Sequence, residues 1–295
     1  TIRVMPGQTQ SEIRRLLAEA GLAPQHRLGQ NFLIDLNLMR KVVAGGEVQP
    51  ADTVLEIGAG TGSLTELLLQ RGARVVAVEI DRGLQGVLRA RLGEHPRFTL
   101  VQGDALGGKH RVNPLVLKVL SERPPAPGGA YKLVANLPYQ IATPLLMDLL
   151  LAAPRFARLT ATIQREVGER LAAHPRTEAY GPVSVVMQTL AEVTPLAILP
   201  PTAFWPRPQV ESLLVAIRPR PLESVNVDDV TGFVAFVQRG FQQRRKMLRR
   251  LVRDLDAPGA ALVFQRAGVS PDARAEELSP PDWRGLFAAW RRSGR

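Results

Sequence analysis

No stretch constrains the fold more than Thr53-Val54-Leu55-Glu56-Ile57-Gly58-Ala59-Gly60-Thr61-Gly62 and the apolar helical pattern of Ser63 to Leu69 behind it. An apolar run enters a glycine-rich turn, and a helix leaves it. Glycine lets the backbone turn tightly there and approach a ligand closely. A second apolar run, Arg74 to Val78, ends in Glu79-Ile80-Asp81. An acid about twenty residues past the first glycine, at the tip of the second strand, is placed to bond both hydroxyls of a ribose. The glycines alone would suit an ordinary strand-to-helix turn. Strand, glycines, helix, strand and acid in register predict nucleoside binding at the carboxyl edge of an open parallel sheet.

The spacing Gly58-x-Gly60-x-Gly62 narrows the nucleoside. It is not Gly-x-Gly-x-x-Gly, whose third glycine lets the helix pack close beside a pyrophosphate, and this counts against a dinucleotide. No Lys-Ser/Thr pair follows to hold a triphosphate and its magnesium. A nucleoside without phosphates fits better, and S-adenosylmethionine is the obvious candidate. Phe98 to Gln102 reads as a third strand, and Asp104 behind it either accepts from an adenine amine or caps the next element.

A fourth strand, Tyr131 to Ala135, runs into Asn136-Leu137-Pro138-Tyr139. Proline fixes its own φ, lacks an N–H, and pushes Leu137 toward an extended conformation. The Asn136 amide and the Leu137 carbonyl would give two acceptors for an exocyclic amine, and Tyr139 a face for its ring. By itself the motif equally makes a plain turn with a half-buried Tyr. Beside a nucleoside-binding edge it reads as the grip on a target adenine.

Elsewhere, Thr9 to Glu12 is a capping box that opens a first helix, and Gly21 stops it. His26 to Asp35 is aperiodic, either a loop over the site or a connector. Leu36 to Val43 predicts a second helix, and Asn113-Pro114 opens another over 115–121. Leu159 to Gln164 predicts a fifth strand, and the runs 193–199 and 212–217 a closing hairpin. Between these runs, Pro200 to Pro208 reads as a stiff, exposed loop presenting Phe204 and Trp205, as a stacking surface in preference to a plug.

Pro219-Arg220-Pro221 divides the 295 residues into domains 1–219 and 220–295. The second reads as all helical, over 230–241, 242–255, 259–267 and 281–291. Arg239 to Arg253 holds seven basic residues and no acidic one, with Met247, Leu248, Leu251 and Val252 as an apolar face. Net charge is +11, from 38 basic and 27 acidic residues, which favours a polyanionic partner. The basic helix is accordingly read as contacting phosphates rather than as a solvated face. With no Cys there is no disulfide or thiol nucleophile, which fits the cytoplasm. No apolar run has signal-peptide or membrane-spanning length, so no membrane partner is expected. The four His are scattered, and no metal is expected.

Taken together these motifs resemble the ribosomal RNA adenine N6,N6-dimethyltransferases of the small-subunit type. The likeness runs from about residue 24 to 253. It rests on Leu28-Gly-Gln-Asn31-Phe-Leu33, Glu56-Ile-Gly58-Ala-Gly60, Glu79-Ile-Asp81, Gly103-Asp104-Ala105 and Asn136-Leu-Pro-Tyr139, and on Gln164-Arg-Glu-Val167, Tyr180-Gly181, Pro200 to Val210 and Phe241-x-x-Arg244-Arg245-Lys246. The resemblance implies an α/β fold: a Rossmann-like class I methyltransferase domain with a mostly parallel seven-stranded sheet, then a small all-helical domain. It implies that Asn31, Leu33, Gly58, Gly60, Glu79, Ile80, Asp104, Ala105 and Asn136 line the S-adenosylmethionine site. Asn136, Leu137 and Pro138 would hold the target adenine, and Tyr139 and Phe204 would sandwich it. Arg244, Arg245, Lys246, Arg249 and Arg250 would meet RNA. The activity implied is dimethylation of two adjacent adenosines near the 3′ end of small-subunit rRNA, in ribosome biogenesis, by a monomer. The alternatives are large-subunit rRNA, DNA adenine methylation, from whose usual Asp/Asn-Pro-Pro-Tyr/Phe motif Leu137 departs, and a non-catalytic assembly or transcription factor. The chain departs from the pattern at 107–130, which is longer than the family leads one to expect.

Overall fold

The apolar runs become the strands of one sheet: β2 (Thr53–Ile57), β3 (Arg74–Glu79), β4 (Phe98–Gln102), β5 (Tyr131–Asn136), β6 (Phe156–Gln164), β7 (Ala191–Leu199) and β9 (Ser212–Pro219). Their order is β4-β3-β2-β5-β6-β9-β7 in this computed structural model, which describes residues 8–108, 111–221, 225, 227–242, 247–252 and 256–293. The pairs β4–β3, β3–β2, β2–β5 and β5–β6 are parallel, and β6–β9 is antiparallel. All five residues of β2 are buried, as are five of the six in β3. Such near-continuous burial marks strands covered on both faces. Each fully buried leucine of the kind seen at Leu55 contributes about 1.5–3 kcal/mol. The order reverses between β2 and β5, and ligands of open α/β sheets bind at such a switch point.

The covering helices start where their caps predict. Thr9 closes its capping box with Glu12 ahead of α1 (Gln10–Glu19), and Asp35 caps α2 (Leu36–Gly45). Gly62 leads into α3 (Ser63–Gln70), Asp81 caps α4 (Arg82–Leu92), and Asn113 caps α5 (Pro114–Glu122), which lies in the long 107–130 segment. The sequence continues into α6 (Ala142–Leu151) and α7 (Arg165–Ala172).

The chain divides into two compact units: Thr1–Gly168 with Thr194–Arg218, and Glu169–Val193 with Pro219–Arg295. The expectation of a single boundary at 219 did not anticipate the inclusion of Glu169–Val193 in the second unit. Its α8 (Pro182–Leu190) packs with α9 (Val230–Phe241) and α11 (Pro280–Arg291), and α11 also packs with α10 (Ala257–Ala267). Tyr180 is fully buried there, donates its hydroxyl to the Leu278 carbonyl at 2.7 Å, and meets Phe241 edge-on.

Two local expectations are corrected. Phe204 is not on an exposed loop: β8 (Phe204–Trp205) pairs antiparallel with β1 (Phe32–Leu33), and Phe204 is 3% exposed. Nor is 242–255 one helix. Met247 is extended and bridges Arg274, and Leu248–Arg250 is a single 3-10 turn. Arg244, Arg245 and Lys246 lie outside the described residues.

Candidate active site

The glycine turn touches two other elements. Gly58 and Gly60 have φ of +72° and +61°, a region in which side chains are strained. A Cβ on Gly60 would meet the Phe32 ring at 3.0 Å, and one on Gly58 would meet Pro138 at 3.4 Å. The turn is therefore seated against both β1 and the Asn136–Tyr139 segment.

Glu79, 3% exposed, anchors the neighbouring strand end. One carboxylate oxygen accepts from the Gly60 N–H at 2.8 Å, the other from the Asp81 N–H at 2.9 Å. Burial raises its pKa, while the Asp81 and Gly60 N–H groups oppose the rise. Glu56 is also buried and accepts from the Thr65 hydroxyl at 2.6 Å. Burial pushes it up to about 8, with a further contribution from Glu79.

Asn136 is held from two sides. Its Nδ2 donates to the Asn31 carbonyl at 2.9 Å, and its Oδ1 accepts from the Thr162 hydroxyl. Leu137, 2% exposed, donates its N–H to the Thr162 carbonyl at 3.2 Å. Tyr139 is half-buried and shares a 2.8 Å hydrogen bond with Ser212. Burial raises the pKa of its phenol, and the Ser212 bond partly offsets that.

The aperiodic segment after Gly21 lies along this site. Gln25 and Gln30 both donate to the Asp81 carboxylate, at 2.5 and 2.9 Å, while Asp81 also caps α4. Leu28, Gly29, Gln30 and Asn31 thereby form one wall of a pocket. The α1 residue Ile13 closes part of it, packing with Leu17, Phe32 and Leu84.

Of the residues singled out from sequence, Asn31, Leu33, Gly58, Gly60, Glu79, Ile80, Asn136, Leu137, Pro138 and Tyr139 line this one pocket. Asp104, Ala105 and Phe204 stand outside its lining. Asp104 is exposed and accepts from the Leu106 N–H at 2.9 Å, and Ala105 is buried. Phe204 packs in the core cluster that includes Leu33 and Leu199. Arg249 and Arg250 are exposed in the second unit. Among the described residues no cluster of His, Asp and Glu is arranged to hold a metal, and no helix is long and apolar enough to cross a membrane. Sequence reasoning missed Glu56, Thr162, Ser212, Gln25 and Gln30. Glu56 had a signal, a charge inside an apolar strand, and Gln30 stood within the Leu28 to Leu33 motif; the others had none.

A sheet of this order, with a glycine turn, a buried acid and an Asn-Leu-Pro-Tyr turn meeting at its switch point, defines a class I methyltransferase fold. Comparison with known proteins gives the family. Residues 22–290 match the family model described as ribosomal RNA adenine dimethylase. A Moorella thermoacetica protein named ribosomal RNA small subunit methyltransferase A is 39% identical, over 95% of this chain and 96% of its own length. A protein of the same name from a Synechococcus species is 40% identical over 89% and 91%. Among solved structures, a Plasmodium falciparum dimethyladenosine transferase superposes with a TM-score of 0.73 at 21% identity, covering 89% of this chain and 98% of that one. The 23S rRNA methyltransferase ErmE gives 0.64 at 26% identity, covering 88% and 100%. The chain belongs to the ribosomal RNA adenine dimethylase family.

Proposed function

We propose that this chain dimethylates N6 of two adjacent adenosines near the 3′ end of small-subunit rRNA, using S-adenosylmethionine, during ribosome biogenesis. The observation that carries the reading is the meeting in one pocket of a ribose-type acceptor, Glu79, with an amine-type grip, Asn136-Leu137-Pro138-Tyr139. Small-subunit rRNA is favoured because the relatives near 40% identity carry it in their names. Large-subunit rRNA is the second reading, supported by the lower, 26% likeness to ErmE.

The pocket suits a cofactor without phosphates. After serving Gly60 and Asp81, each Glu79 oxygen keeps an acceptor site, matching two ribose hydroxyls. Among the described residues that line the pocket there is no Lys or Arg to neutralise a phosphate. Asn31, Leu33, Gly58, Gly60, Glu79 and Ile80 would hold the cofactor, with Asp104 and Ala105 at the end of β4 reaching its adenine. When bound, S-adenosylmethionine supplies an electrophilic methyl on its sulfonium.

The adenine amine is a poor nucleophile because its lone pair is delocalised into the ring. The Asn136 side-chain oxygen and the Leu137 carbonyl accept its two N–H bonds, favour a pyramidal nitrogen and aim the lone pair. They also stabilise positive charge as it develops on that nitrogen. Tyr139 offers a face for the base, which offsets part of the cost of drawing it out of a stack. Phe204 would be the second ring of the clamp by the family resemblance, which its burial beside Leu33, outside the pocket lining, does not support. Arg244, Arg245, Lys246, Arg249 and Arg250 supply cations for RNA phosphates. The reading has the protein act as a monomer, and a ribosomal substrate supports a cytoplasmic location. Transfer of labelled methyl to small subunits lacking the modification, with mapping of the label, tests the reading. Label on N6 of two adjacent adenines is expected; label only on large-subunit RNA would move the assignment to the second reading.

A further inference from the structure

We infer that Thr162 and Ser212 are positioning residues for methyl transfer: two buried hydroxyls on adjoining strands that set the orientation of Asn136 and Tyr139. This rests on the reading of Asn136 to Tyr139 as the grip on the target amine. Thr162 lies on β6 and Ser212 on β9, and both are 0% exposed. Thr162 pairs with Leu214 and Gln164 with Ser212 in the antiparallel ladder. Alternation along each strand puts Thr162 and Ser212 on one face of the sheet, diagonal to each other. Buried polar side chains in strands need partners. Theirs are the two working side chains of the turn.

Thr162 decides which end of the Asn136 amide faces the substrate. The Asn31 carbonyl can only accept, so it fixes Nδ2 on its own side. The Thr162 hydroxyl donates to Oδ1, and the two bonds together prevent the amide from flipping. A flipped amide would present N–H groups to an amine that itself needs acceptors. Held as it is, Oδ1 keeps one acceptor site for the target. The Thr162 carbonyl also accepts the Leu137 N–H at 3.2 Å, so one residue holds both the Asn136 side chain and the peptide that joins it to Leu137. Ser212 does for Tyr139 what Thr162 does for Asn136, tying the phenol at 2.8 Å so that the ring stays at one tilt.

The test compares Thr162→Val, which keeps shape and loses the hydroxyl, with Thr162→Ser, which keeps it. Single-turnover methyl transfer to small subunits lacking the modification is read beside S-adenosylmethionine and subunit affinities. Thr162→Val should be slower by about ten- to a hundredfold, with both affinities within about twofold of wild type, as expected for lost orientation. Thr162→Ser should stay within about threefold of wild type. Ser212→Ala should slow transfer, and adding Tyr139→Phe should slow it no further, because both changes remove one shared bond. A Thr162→Val rate within about twofold of wild type, or equal losses in Val and Ser, overturns the inference. Should Thr162→Val not fold, the Ser212→Ala and Tyr139→Phe pair decides: additive losses or no loss overturn it, and non-additive losses uphold it. Wild-type protein that labels no small-subunit adenine overturns the underlying reading instead.

Discussion

Glu56 on β2 and Glu79 at the end of neighbouring β3 are both almost fully buried, yet their carboxylates are held differently. Glu79 has a backbone N–H on each oxygen, from Gly60 and Asp81, whereas Glu56 relies on Thr65. Burial then leaves Glu56 protonated at neutral pH, with a pKa of about 8. The sign of its effect on stability follows. An unfolded Glu ionises near about 4.3, so between there and about 8 the unfolded chain loses a proton that the folded chain keeps. The stabilisation is full below that window and is lost as pH rises through it. Denaturant unfolding from pH 5 to 8 should show wild type weakening relative to Glu56→Gln, with a limiting slope of about 1.4 kcal/mol per pH unit. Parallel curves would mean that Glu56 is already ionised in the fold.

The same contrast makes Glu79 the residue to change for cofactor affinity. Glu79→Gln keeps the shape but removes the charge and turns one acceptor into a donor facing a backbone N–H. A lost hydrogen bond to a charged group is worth about 1.5–3 kcal/mol, so S-adenosylmethionine should bind about ten- to a hundredfold more weakly by calorimetry. Affinity within about twofold of wild type would remove Glu79 as the ribose acceptor.

What could be read from the sequence is what is encoded within a few neighbouring residues. Gly58 to Gly62, Glu79 and Asn136 to Tyr139 each sit at the end of a strand whose apolar run marks it, so the parallel sheet and its carboxyl edge were legible together. Thr162 and Ser212 were not, because their partners lie on other strands and a lone hydroxyl in an apolar run has no pattern. The Gln25 and Gln30 bonds to Asp81 span more than fifty residues and were hidden for the same reason. Phe204 misled because four nearby prolines suggest exposure, while its burial depends on Leu33, far back in the chain. The basic segment misled because Leu248, Leu251 and Val252 fit a helical spacing that the bridge from Met247 to Arg274 overrides.

Asn136→Ala removes the proposed acceptor and leaves the Asn31 carbonyl and the Thr162 hydroxyl without their partner. Removing one preorganised group that stabilises developing charge typically costs about a hundred- to a thousandfold in turnover. RNA affinity should be kept, since binding to phosphates rather than to bases dominates it. Single-turnover rates beside filter binding check this; near-normal transfer by the variant would show that Asn136 does not grip the amine.

Arg249 and Arg250 are both exposed, but Arg249 lies 3.5 Å from Asp272. Both members of that pair are more than 60% exposed at the side chain, so the bond between them is weak and yields to a phosphate. Neutralising Arg249 and Arg250 together should weaken binding to small-subunit RNA. It should also flatten the plot of log affinity against log salt by about 0.7–0.9 for each phosphate that is no longer neutralised. Asp272→Asn should act in the opposite sense. It removes a competitor for Arg249 and a negative charge from the approach, so RNA should bind more tightly at low salt, with the gain fading as salt rises. Titrations across a salt series separate the outcomes. An unchanged slope in the double Arg variant, with no gain from Asp272→Asn, would place the RNA on another face of this unit.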